Sequence, residues 1–251
     1  MKISVITPTY NSEATLVDCI ESVHNQLVKP EHIIIDGVST DKTLQILDEH
    51  KDKISRVISE PDKGIYDALN KGLSIAETEI VGCLNSDDFY SSHFILERVM
   101  EVFHNPKIDA CYGDLVYVDK RQINKIIRHW KAGHFHPEKF YYGWMPPHPT
   151  FFVRKSVYEK LGGFNLLLGT AADYELMLRF LFKHRINVAY IPEVIVHMRT
   201  GGASNTSLRK RLEAHRMDYR SWLVNNLQPK IWTIPMKPIR KLPQWVIKHR
   251  S

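Results

Sequence analysis

Two adjacent carboxylates, Asp87 and Asp88, end the segment Ile80 to Tyr90, IVGCLNSDDFY. The run Ile80-Val81-Gly82-Cys83-Leu84 before them has the length and composition of a short buried strand. In an open parallel sheet, ligands sit beyond the carboxyl ends of the strands. Neighbouring carboxylates repel each other unless a cation lies beside them. Their oxygens suit Mg2+ or Mn2+, ions placed to bridge a substrate's phosphates. The competing reading is a turn in which Asp87 or Asp88 caps a helix starting near His93. Other polar clusters follow apolar runs in the same way: Thr9-Tyr10-Asn11, Asp36 and Asp62-Lys63. Clusters converging on one sheet edge are harder to dismiss than any one alone.

The elements that must carry these clusters alternate. Ile3-Ser4-Val5-Ile6-Thr7 reads as a β-branched strand closed by Pro8-Thr9-Tyr10-Asn11. A helix follows from about Ser12, its expected N-cap, with Leu16, Ile20, Val23 and Leu27 on one face. His32-Ile33-Ile34-Ile35 is an apolar strand ending at Asp36-Gly37, and Asp41 is well placed to cap the next helix. A third strand, Arg56–Ser59, a turn at Glu60–Gly64 and a helix over about Ile65–Ala76 lead into the Ile80–Leu84 strand. The pattern predicts an α/β fold, a doubly wound, mostly parallel sheet flanked by helices. A nucleotide is the usual ligand of such a sheet. Neither Gly-x-Gly-x-x-Gly nor Gly-Lys-Ser/Thr follows the first strand, so phosphates must be held differently, with metal at Asp88 as the natural candidate.

Composition sets the class. The chain has 251 residues, 43% hydrophobic and 25% charged, enough for one α/β domain with an appendage. No apolar run approaches the ~20 residues that span a bilayer, and the opening MKISVITPTYN lacks the pattern of a signal peptide. Cys19, Cys83 and Cys111 are widely spaced and read as small buried residues of a reducing compartment, the cytoplasm. The net charge is +6, yet Leu208 to Ser251 carries eleven Lys or Arg against two acids. The basicity belongs to the tail and makes no case for a nucleic-acid-binding core.

With these residues in view, the chain resembles family 2 glycosyltransferases of the GT-A fold, of the bacterial surface-polysaccharide type. The matching pieces are Val5–Asn11, Ile35–Thr43, Asp62–Gly72, Leu84–Asp88, Lys160-Leu161-Gly162-Gly163-Phe164 and Asp173-Tyr174-Glu175-Leu176, in the family's order. The match implies a transferase domain over 1–204, with a nucleotide-binding half at 1–105 and an acceptor-binding half at 106–204. Residues 205–251 are left as a basic helical extension. It implies an inverting transfer from a nucleotide sugar, a UDP-sugar by preference, with Mn2+ or Mg2+ as cofactor. Such chemistry needs charge neutralisation at the leaving diphosphate and a base for the acceptor hydroxyl.

By the resemblance, Asp88 is the metal ligand and Asp87 its partner on the ribose or the ion's water shell. Asp36 resembles the carboxylate that accepts from the uracil N–H. Pro8, Thr9, Tyr10 and Asn11 would line base and ribose. Asp62, Lys63 and Asp67 lie on the next turn and helix, where Lys63 could contact phosphate; Asn85 belongs to the acidic motif, and Lys71 reads as a solvated helix face. Asp173 resembles the catalytic base, although the family often has a Glu-Asp pair where Ala172-Asp173 stands; helix N-cap is its rival role, and Glu175 is the alternative base. His148 resembles a position near the donor sugar. His197 resembles a further metal ligand, ahead of a Gly201-Gly202 lid. The stretch His129 to Thr150, with His134, His136, Trp130, Trp144, Tyr141 and Tyr142, is expected to wall the acceptor site.

In the tail, Trp and Ile interleave with Lys and Arg, broken by prolines. That composition suits the headgroup layer of an anionic bilayer, hence peripheral membrane contact through 208–251 at the inner face of the cell membrane. The rival is a helix packed on the sheet with a solvated basic face. A glycan or lipid-linked glycan is the expected acceptor. Two other functional classes compete: a nucleotidyltransferase of similar fold, which would want a Gly-rich, basic first loop, and a non-catalytic glycan- or membrane-binding module, which has no use for Asp88 and Asp173 together.

Overall fold

The computed structural model describes residues 1–201, 208–240 and 244. In chain order the elements are β1 (Ile3–Thr9), α1 (Leu16–His24), β2 (Glu31–Asp36), α2 (Thr43–Glu49), β3 (Arg56–Ser59), α3 (Ile65–Ile75) and β4 (Ile80–Cys83). They continue with β5 (Phe89–Tyr90), α4 (Ile95–Phe103), β6 (Ala110–Val118), β7 (Ile126–Trp130), β8 (Phe152–Arg154) and α5 (Lys155–Leu161). Last come α6 (Ala172–Met177), which runs on as a π-helical turn over Leu178–Lys183, then β9 (Val188–Arg199), α7 (Leu208–Val224) and α8 (Thr233–Arg240). The strands form one sheet in the order β3-β2-β1-β4-β8-β6-β9-β5, with β7 beside β6. Pairings are parallel among β1 to β4 and between β6 and β9, whereas β5, β7 and β8 run antiparallel to their neighbours.

Strand periodicity makes the layers. Ile3 and Val5 of β1 face a core with Cys19, Val23, Leu96 and Val99 of α1 and α4. Ile6, one residue along, faces Ala68, Leu69 and Leu73 of α3 on the other side. Gly72 lets α3 press against β1, because a Cβ there would lie 2.3 Å from Ile6 Cγ2. The register sets Thr9 opposite Asp36, and Asp36 opposite Ser59, so the polar strand ends share one edge. β1 lies between β2 and β4, and this reversal of strand order opens a crevice at its carboxyl end.

Three local expectations change. α1 starts at Leu16 rather than near Ser12, whose hydroxyl pairs instead with Ser86 Oγ at 2.8 Å. α4 begins at Ile95 with Phe94 at its N-cap position, so neither Asp87 nor Asp88 caps it. The aromatic run after His129 is mostly core: Trp144 is buried and donates to Ala132 O, and Tyr141 stacks on Trp222 of α7. Trp222 also packs against Phe182 and donates to Tyr174 Oη. The C-terminal helices therefore close the body of the molecule, as the packed-helix alternative proposes for this stretch. Of the tail residues, 241–243 and 245–251 lie outside the described residues, as do Gly202 and the rest of the expected lid.

Candidate active site

The turns after β1, β2 and β3 knit into one corner. Asn11 takes a left-handed backbone (φ 50°), and its side-chain oxygen accepts from Thr40 N at 2.8 Å while its N–H donates to Ser39 Oγ. Tyr10 is largely exposed. Gly37 has no side chain where Asp62 and Tyr10 approach: a Cβ would meet Asp62 Oδ2 at 2.5 Å and the Tyr10 ring at 3.5 Å. Tyr10 and the Asp62 carboxylate thus close on the bare backbone of Gly37. Pro8 and Thr9 are buried, and Thr9 Oγ1 has no hydrogen-bond partner among the described residues.

Asp36, expected to face a uracil, is fully buried, with its carboxylate accepting from Ser39 Oγ, Ser39 N and Ser59 Oγ. Its charge is consumed in tying β2 to β3 and the following turn. Asp41 stands one residue before the N-cap position of α2, which is Lys42, and accepts from Thr43 N at 2.9 Å. Asp67 accepts from Lys63 N, which orders the turn and leaves the Lys63 side chain exposed. Lys71 pairs with Glu60 at 2.9 Å and donates to Pro61 O, so it braces α3 to the turn before it.

Beyond β4, Asp88 is completely buried. Asn85 Nδ2 donates to its Oδ2 at 3.3 Å, and its Oδ1 has no partner among the described residues. Burial, and then the Asp87 carboxylate beside it, push the Asp88 carboxyl well above the usual range. Asp87 is also raised by burial, with Arg199, His148 and Lys120 drawing it back. An orphaned carboxylate oxygen beside a second acid fits a divalent cation, with Asp88 as its protein ligand. Arg199, which belongs to none of the matching motifs, is buried at the end of β9; it donates to Asp87 O at 2.7 Å and pairs with Asp18. It lies two residues beyond His197, on the same strand face. His197 itself sits opposite Phe89 in the β5–β9 pair with its ring edge-on to that side chain at 5.1 Å, and burial lowers its pKa. No cluster of three or more His, Cys, Asp or Glu suited to a metal occurs among the described residues.

Asp173 lines a small cleft of about 40 Å³ together with Tyr66, Cys83, Asn85, His148, Tyr158 and Phe164, among others. It does not cap α6, whose N-cap position is Ala171; its Oδ1 accepts from the adjacent Tyr174 N and its Oδ2 turns to His148 Nδ1 at 3.3 Å. Burial, and then the nearby Asp173 carboxylate, push the Tyr66 phenol well above its usual range. Burial pushes the Tyr117 phenol of β6 up, with Arg128 drawing it back and the Asp88 and Asp173 carboxylates adding to the rise. Glu175 has a different place. It is buried, bound to Arg179 at 2.9 Å and to Asn225 just after α7, while Arg179 donates to the carbonyls of Leu161, Gly162 and Gly163. His134 packs edge-on to Tyr190, and His136 is exposed; neither lines the cleft of His148 and Asp173.

An acidic turn and the separate carboxylate of Asp173 thus lie on an α/β sheet of the GT-A type. Residues 4–162 match the model of glycosyl transferase family 2, and the chain belongs to that family. It is 28% identical over 214 residues to a PGL/p-HBAD biosynthesis glycosyltransferase of Mycobacterium tuberculosis, covering 82% of this chain and 80% of that one. Its fold is similar to TarS 1–349 of S. aureus in complex with UDP-GlcNAc (TM-score 0.65, 21% identity, 91% of this chain and 68% of that one). It is similar also to the mannosyltransferase PcManGT of Pyrobaculum calidifontis in complex with GDP-Man and Mn2+ (TM-score 0.65, 16% identity, 99% and 76%).

Proposed function

We propose that this glycosyltransferase moves a hexosyl or N-acetylhexosaminyl group, with inversion, from a UDP-sugar to a hydroxyl of a glycan or lipid-linked glycan. The setting is polysaccharide assembly at the cytoplasmic face of the membrane. The observation that carries the reading is Asp173: a carboxylate free of capping duty, in a cleft it shares with Asn85 of the acidic turn.

Asp173 accepts the proton of the acceptor hydroxyl as its oxygen attacks the anomeric carbon and the bond to the diphosphate breaks. His148 and Tyr66 orient that carboxylate. Tyr10, Asp62 and the backbone at Gly37 receive the base, with Thr9 Oγ1 and Asn11 beside the ribose; Lys63 reaches for phosphate. Mn2+ or Mg2+ held by Asp88, with Asp87 next to it, would supply positive charge to the leaving diphosphate. The names of the relatives support this reading: one is a PGL/p-HBAD biosynthesis glycosyltransferase, and two are seen in complex with UDP-GlcNAc or with GDP-Man and Mn2+.

Titration calorimetry of UDP, GDP and dTDP, each with Mn2+ and with chelator, tests the proposal. UDP binding that disappears with chelator is the expected result. Chelator-insensitive binding removes the cation from the proposal, and no nucleotide binding by folded protein removes the donor.

A further inference from the structure

α7 is built inside out. Its buried face, spaced three and four residues apart, is Asp218, Ser221 and Trp222, continued by Asn225 just after the helix. Its outer face carries Leu212, Arg216, Tyr219, Arg220 and Leu223, with Leu212 72% exposed. The helix cannot roll to hide its leucines, because directional bonds hold the polar face inward. Asp218 pairs with Lys237 of α8 at 2.6 Å, Asn225 donates to Glu175 at 2.9 Å and Trp222 to Tyr174 at 2.9 Å. The turn after α7 adds Ile231, 92% exposed, and Trp232, whose ring lies under Lys230 Nζ at 5.3 Å. Aliphatic and aromatic side chains interleaved with Arg and Lys are thus presented to the outside by a rigid frame.

We propose that this outer face of α7, with the turn that follows, docks on an anionic lipid bilayer. Leu212 and Leu223 would enter the interface, and Arg216, Arg220 and Lys230 would sit at the headgroups. Charge selects this occupant. The acids between residues 212 and 240 are Glu213 and Asp218, and Asp218 is paired with Lys237. A second copy meeting the patch across a twofold axis would set basic patch against basic patch, which disfavours association. An anionic surface meets the same cations with attraction, and Trp beside Lys suits the interfacial layer. The inference deepens the proposed lipid-linked acceptor and rests on that reading for its purpose, while the docking itself is read without any transfer reaction.

The test is sedimentation of the full chain with vesicles of phosphatidylcholine alone or with added phosphatidylglycerol. The variants are Leu212→Glu/Leu223→Glu and Arg216→Gln/Arg220→Gln, all at exposed positions, with melting temperature and UDP calorimetry run in parallel. Expected are pelleting with anionic vesicles only, weakening with salt, and roughly thirty-fold weaker partitioning for the arginine pair, as two surface cations predict. Absence of pelleting, or equal pelleting of wild type and both variants, overturns the inference; the latter assigns binding to another part of the chain. A wild-type dimer that the leucine variant dissociates, without vesicle binding, makes the occupant a second copy. Calorimetry reports the donor site separately, so docking and the transferase reading can fail independently.

Discussion

Asp173 and Glu175 stand two positions apart on α6, and helical rotation gives them different partners. Asp173 opens into the cleft, whereas Glu175 is buried in a network with Arg179 and Asn225. Asp173→Asn should leave UDP affinity unchanged and slow transfer by about 10²–10⁴-fold, the usual worth of a positioned base; near-full turnover would remove Asp173 from that role. Glu175→Ala should instead cost roughly 3–5 kcal/mol of stability by stranding Arg179, visible as a lower melting temperature with transfer per folded molecule retained. His32 gives a pH signature. It is buried on β2 against Thr7 Oγ1 at 3.0 Å, and burial pushes its pKa down to about 3 from 6.5. The unfolded chain therefore takes up the proton first, so stability is full above pH 6.5 and falls as pH drops towards about 3. The loss is up to about 1.4 kcal/mol per pH unit. Denaturant titrations of His32→Gln should show a shallower acid slope than wild type between those limits; equal slopes would assign the acid sensitivity elsewhere.

At the scale of elements, the contact of α6 with α7 and the approach of β4 to β8 carry the most. Trp222 fills a space between Tyr141, Phe182 and Tyr174, so Trp222→Ala should cost about 3–5 kcal/mol and lower the denaturant midpoint. Gly82 of β4 faces Phe152 of β8, where a Cβ would lie 2.3 Å from the ring. Gly82→Ala should destabilise by about 1–3 kcal/mol through overpacking, measured the same way. Because Asn85 to Asp88 follow β4 directly, a shift of that strand should also weaken Mn2+-supported nucleotide binding; unchanged binding would mean the acidic turn is held by Arg199 alone.

For the whole molecule, deleting residues 208–251 should give protein without a cooperative melting transition, since the helices that close the core go with them. A truncated chain that still melts cooperatively would restore the tail as a separable extension. Among the described residues no helix is long and apolar enough to cross a membrane. Alternating strands and helices, and polar residues after each strand, were legible because side-chain period and turn chemistry are local; they determined the α/β class and the β1–β4 edge and marked Asp88 as a candidate there, whereas Asp173 became a candidate through the family resemblance. Other features needed the tertiary structure, because they depend on residues far apart in sequence. Asp36 could be assigned to Ser39 and Ser59 only once β2 lay beside β3. Arg199 could be placed at Asp87 only once β9 reached the acidic turn. The aromatic run at 129–150 became core only once α7 lay on it. Composition announced the tail's basic and apolar residues, but which of them face outward was decided by the hydrogen bonds of Asp218, Trp222 and Asn225, whose partners lie on other helices.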